Sequence, residues 1–139
     1  MAGSGTSFTL SEGNYSNGQV LVRQTDSSNN LSANASLGAV TIDQTVGAPL
    51  VELNTDTGVS NSDGITNLGQ VNVTLAPDVA SWEYSIDAGA NWVLGSGTSF
   101  TLAEGNYTNG QVLVRQTDNS NNLSANASLG AVTIDQTVG

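Results

Sequence analysis

"GSGTSFTLSEGNYSNGQVLVRQTD" occupies residues 3–26, and "GSGTSFTLAEGNYTNGQVLVRQTD" occupies residues 95–118. The match runs on to Gly47 and Gly139. Over 45 aligned positions there are three differences, Ser11/Ala103, Ser16/Thr108 and Ser27/Asn119. An offset of 92 residues is too long for one turn of a solenoid and is about the size of one small β-sandwich domain. The phase of the repeat then predicts two parts. Residues 1–47 are the C-terminal half of one repeat, and residues 48–139 are a complete one.

The complete repeat reads as strands by its period-2 alternation. Seven are expected, at 50–54, 70–76, 81–87, 91–95, 99–103, 111–118 and 129–135. In "QVNVTLA" (70–76), Val71, Val73 and Leu75 share a face; in "SWEYSID" (81–87), Trp82, Tyr84 and Ile86 point inward, with Glu83 and Ser85 outward. Turn-forming Gly, Asn, Asp and Ser separate the runs, and no helical period occurs. The expected fold is all-β, an Ig-like antiparallel sandwich of about seven strands preceded by the three-strand half of an identical repeat. Two details test it. Tyr107, in "EGNYTNG", falls at a strand corner where a tyrosine hydroxyl bonds back to the backbone. Arg115 and Glu83 face each other across neighbouring strands as a surface ion pair of small net effect, on the order of 0–1 kcal/mol.

Composition excludes several functions. Twelve acidic residues stand against two basic ones, Arg23 and Arg115, and the net charge is −10. Nucleic acid and anionic membranes are recognised through Lys and Arg, so neither is an expected partner. The chain contains no His, Cys or Lys. That removes the usual zinc ligands and the Cys–His and Ser–His nucleophile pairs, so no enzyme is expected. Asp and Glu remain as hard oxygen ligands, which suit calcium.

The stretches "NTDTGVSNSDGITNLGQVNVTL", "WEYSIDAGANW" and "VLVRQTDNSNNLSANASLGAVTIDQT" resemble the bacterial Ig-like tandem repeats of giant RTX-type surface adhesins. The resemblance implies a stalk, or extender, whose partners are neighbouring repeats. It also implies type I export to the bacterial cell surface and calcium at domain junctions. The junction here, "DQTVGAP" (43–49), is two residues longer than the D-x-T-A-P linker of such repeats.

Sandwich topology sorts the acidic loops between two poles. The loops after the first, third and fifth strands share a pole with the end of the seventh, which collects Asp56, Asp63, Asp87, Glu104 and Asp135. The opposite pole collects Asp78, Asp118 and Asp43, the last arriving on the linker. Clustered carboxylates without basic counter-charge repel one another, and calcium, which takes 6–8 oxygens, relieves that. Asp56, Asp63 and Asp135 form one expected calcium set; Asp43, Asp78 and Asp118 form a second; Asp87 is a further candidate. The competing reading is that these are solvated turn residues.

Two other functions compete with the extender. A carbohydrate- or surface-binding module would use a loop-rich pole, with Trp92 as the one plausible exposed aromatic contact. A glycosidase would need a carboxylate in an apolar setting, and none reads so. Finally, residues 3–47 carry an apolar face (Phe8, Leu10, Val20, Val22, Val40, Ile42) without its partner strands, so self-association through this surplus half is expected.

Overall fold

A computed structural model of the chain describes residues 1–56 and 63–137, and every regular element among them is a β-strand. The chain divides into two compact units, Met1–Gln44 and Thr45–Gly139. The division falls three residues before the boundary read from the repeat, because the linker end belongs to the second unit. There Pro49 is buried, and the Gln116 side chain donates through Nε2 to the Gly47 carbonyl at 2.6 Å.

The first unit holds four short strands: β1 (Gly13–Tyr15), β2 (Leu21–Val22), β3 (Ala35–Ser36) and β4 (Val40–Ile42). β1 pairs with β4 and β2 with β3, both antiparallel.

The second unit is a β-sandwich. Its strands are β5 (Leu50–Leu53), β6 (Ile65–Thr66), β7 (Gln70–Thr74), β8 (Val79–Ser85), β9 (Val93–Leu94), β10 (Ser99–Thr101), β11 (Gly105–Tyr107), β12 (Leu113–Asp118), β13 (Ala127–Ser128) and β14 (Val132–Ile134). They lie in the orders β10-β7-β5, β13-β12-β8-β9 and β11-β14-β6. Alternation explains the core: Val71 and Val73 of β7, Phe100 of β10 and Val114 of β12 are buried while their neighbours face out. Each such side chain taken from water contributes about 1.5–3 kcal/mol before the entropic cost of ordering it. Trp82 lies among them, 6.1 Å from Phe100 between ring centroids, and Phe100 stacks on Tyr84 at 4.2 Å.

All seven expected strands are present, with four differences. Residues 105–107 and 127–128, expected to lie between strands, form β11 on β14 and β13 on β12. The seventh is shortened to β14, which starts only after Gly130, at φ 27°, and lies beside β6 and β11. Residues 65–66, read as loop, form β6, which runs parallel to β14. In β8 the inward alternation stops early. Ser85 is buried and Ile86 exposed, because the strand ends at Ser85 and its hydroxyl turns to the following bend. Ser85 Oγ accepts from the Asp87 and Gly89 amides and donates to Asp87 Oδ1 at 2.7 Å.

Candidate functional site

Period 2 from Val112 into β12 carries Val112 and Val114 inward, and by the same count it carries Gln116 and Asp118 inward. Both polar residues are buried, and each is satisfied by the strand's surroundings, as burial requires. Gln116 Oε1 accepts from the Ala76 amide at 3.0 Å, while its Nε2 holds Gly47. Asp118 Oδ1 accepts from the amides of Ser120 and Asn122, both at 2.9 Å, and Oδ2 accepts from Asn122 Nδ2 at 3.0 Å. Asn121 takes the left-handed conformation this tight loop needs, with φ 65°.

This Asp-x-x-x-Asn cradle recurs. Asp26 accepts from the Ser28 and Asn30 amides and from Asn30 Nδ2. Asp87 accepts from the Asn91 amide, Asn91 Nδ2 and the Ser85 hydroxyl. Hydrogen bonds from Asn91, side chain before backbone, and then from Ser85 pull the Asp87 carboxyl down to about 2; Asn30, again side chain first, pulls Asp26 down. The local role of these carboxylates is therefore to shape their own turns.

Of the second expected set, Asp78 and Asp118 do meet, each bringing a carboxylate oxygen within 4.8 Å of the other. The Asp78 carbonyl also accepts from the Asn119 amide at 2.9 Å, which fastens the two loops together. Asp43 is part of the first unit.

The first expected set does not converge. Because β6 is parallel to β14, with Ile65 opposite Thr133, Asp63 is level with Ala131. Asp135 lies four residues further along the same direction, about 13 Å away at ~3.3 Å per residue. Asp56 stays beside Asp63: its Oδ2 accepts from the Gly64 amide at 2.8 Å, while Asp63 Oδ1 accepts from the Ile65 amide. Asp56 Oδ1 is buried with no hydrogen-bond donor among the described residues. The loop joining Asp56 to Asp63, residues 57–62, lies outside them.

Glu104 plays a different part. Its Oε1 accepts from the Gln136 amide at 2.8 Å, and from the Thr137 amide and hydroxyl at 3.1 and 3.0 Å. Those bonds, the Gln136 amide foremost, hold its carboxyl below the usual value. In the first unit Glu12 Oε1 accepts from the Gln44 amide at 2.9 Å. The sequence signal for Gln116 was its place in the β12 alternation. For Glu104 and Glu12, nothing short of the fold brings the fifth strand's end to residues 32 positions later.

Trp92, expected to be exposed, is half-buried and engaged. Arg115 pairs with Glu83 across β12 and β8, and its guanidinium carbon lies 3.8 Å from the centre of the Trp92 ring. Two shallow hollows of about 370 and 400 Å³ lie in the first unit, one lined by Tyr15, Gln19 and Val40, the other by Gln24, Asp26 and Leu31. Asp26 is the one carboxylate between them, so neither offers the carboxylate pair of a glycosidase. No family model matches the chain, and no curated protein matches it either.

Proposed function

We propose that this chain is part of a tandem array of β-sandwich repeats whose role is mechanical, an extender of a bacterial cell-surface adhesin working outside the cell. One observation carries the reading. The linker segment "QTVG" is pinned at both ends, each within its own unit, by Glu12 to the Gln44 amide and by Gln116 to the Gly47 carbonyl. Gln136, which opens the second copy of the segment, is held by Glu104 as Gln44 is held by Glu12. Only Thr45 and Val46 lie between the two held residues, so the connection is short, as a spacer between repeats needs. The resemblance to adhesin repeats supplies the setting.

Calcium belongs to the proposal. Asp56 fits a cation, since it presents a buried oxygen without a donor beside the Asp63 carboxylate. Asp78 fits one too: its carboxylate stands within 4.8 Å of that of Asp118, whose own oxygens are occupied by its turn as those of Asp87 are, and the unit's single basic side chain, Arg115, is engaged with Glu83 and Trp92. Bound there, calcium would neutralise that repulsion and take oxygen ligands only. Asp87 and Asp135 add less, because Asp87 is saturated by its own turn and Asp135 stands apart from Asp63. A carbohydrate-binding role gains nothing from Trp92, whose ring is covered on one side by Arg115.

The test is length. Proteins carrying two, four and six copies of residues 48–139 are compared by small-angle X-ray scattering. The proposal requires a maximum dimension that grows linearly with copy number. A dimension that grows roughly as the square root, as a flexible chain does, contradicts it.

A further inference from the structure

Identical sequence meets two environments in this chain. Val114 is 0% exposed, whereas Val22, the same residue of the first copy, is 51% exposed. Phe100 and Phe8 stand at 7% and 61%, and Leu129 and Leu37 at 7% and 46%. The backbone follows. β12 spans six residues, and its counterpart β2 spans two; Ser99–Thr101 form β10, while Ser7–Thr9 form no strand. In the second unit these strands lie against the front half of the repeat: β10 against β7, β12 against β8, β14 against β6. Phe100 is covered by Trp82 and Tyr84 of that half.

We infer that the face of residues 3–47 marked by Phe8, Val22 and Leu37 is a docking site for the front half of a repeat, a polypeptide of the sequence 48–94. The chain itself shows that half seated on the same surface. The three differences between the copies do not touch it, since Ala103, Thr108 and Asn119 are all exposed in the second unit. The front half in this chain is already seated on residues 95–139, so the occupant is an additional one. It adds strands beside Ser7–Thr9, Leu21–Val22 and Val40–Ile42, giving their edges the backbone partners that β7, β8 and β6 give in the second unit. The inference rests on the tandem-repeat part of the proposed function and is independent of calcium and of the cell-surface setting.

The experiment compares the full chain with the same chain extended at its N-terminus by a second copy of residues 48–94. Amide hydrogen exchange is followed by NMR. In the extended chain, exchange at the amides of Arg23 and Thr41, whose counterparts Arg115 and Thr133 face the front half, should slow by on the order of a hundredfold or more, toward the rates of those counterparts. The V22D substitution should abolish that slowing and leave Val114 protected, which shows that the second unit is still folded. A separate polypeptide of residues 48–94, titrated into the unextended chain, should produce the same slowing and saturate at one to one. Three results would each overturn the inference: no slowing at Arg23 in the extended chain, slowing that survives V22D, or a dimer of the unextended chain that protects Arg23 and resists the added front half. The last would make a second copy the occupant.

Discussion

Gly95 lies flat against the indole of Trp82. Its amide donates to the Trp82 carbonyl at 2.8 Å, and a Cβ built on it would stand 2.3 Å from Cδ2 and Cε2 of the ring. The ring cannot retreat, because its Nε1–H donates to the Gly97 carbonyl at 2.8 Å and its other contacts are core. Gly3 is the same residue in the first copy, and nothing lies within 4 Å of its missing Cβ. Overpacking of this kind costs about 1–3 kcal/mol. G95A should therefore lower Tm by several degrees or more, and G3A should leave it unchanged within error. Differential scanning calorimetry of the two variants checks this; equal effects would contradict the placement of Trp82.

Gln116→Ala removes the side chain that joins the incoming linker to the Ala76 amide. It empties a buried site and removes two hydrogen bonds, to the half-buried Ala76 amide and to the Gly47 carbonyl, and should destabilise the second unit by about 1–3 kcal/mol. Gln24→Ala, at the matching position in the first unit, is exposed and should cost less than about 0.5 kcal/mol. Urea unfolding with unchanged m-values measures both.

Acid should weaken the second unit through its two lowered carboxyls. Asp87 falls from 3.8 to about 2, chiefly through Asn91, and Glu104 falls below 4.5, chiefly through the Gln136 amide. A group whose folded value is depressed contributes stability that is fully present above its unfolded value and lost as pH falls through the folded one. Tm should thus decline as pH drops from about 4.5 toward 2. D87N should flatten the lower part of that decline and E104Q the upper part. A decline of the same shape in both variants would show that other carboxylates govern acid stability.

Much of this architecture was legible because alternation and burial obey the same period. Val71, Val73, Trp82 and Tyr107 stand where their spacing put them, and the Tyr107 hydroxyl donates to the Ala103 carbonyl at 2.8 Å, as Tyr15 does to Ser11. The Arg115–Glu83 pair is cross-strand as expected. The failures lie where sequence distance is large or a strand ends. Nothing local says that residues 65–66 pair in parallel with β14, and that one pairing separates Asp63 from Asp135. Ile86 reads as the next inward residue until Ser85 is seen to close the strand. Gln116 and Asp118 were hidden by their polarity, although their spacing from Val114 already put them inside.

No hydrolytic activity is expected. The chain has no His, Cys or Lys, and the carboxyls of Asp26, Asp87 and Glu104 all move downward, away from the raised value that a general acid needs at neutral pH. Assays against chromogenic glycosides and esters should give the buffer rate. Turnover by the pure protein that is abolished by D56N or D118N would show a catalytic site.

The arrangement of carboxylates without counter-charge is tested most directly by thermal unfolding of the full chain in millimolar calcium and in excess EGTA. A ligand held only by the folded state adds about 2.7 kcal/mol at a hundredfold excess over its Kd, which raises Tm by several degrees or more for a unit of this size. Magnesium, which resists dehydration, should give much less. A calcium-dependent rise that shrinks in D56N is the result expected; superimposable curves in calcium and EGTA would contradict calcium stiffening of this repeat.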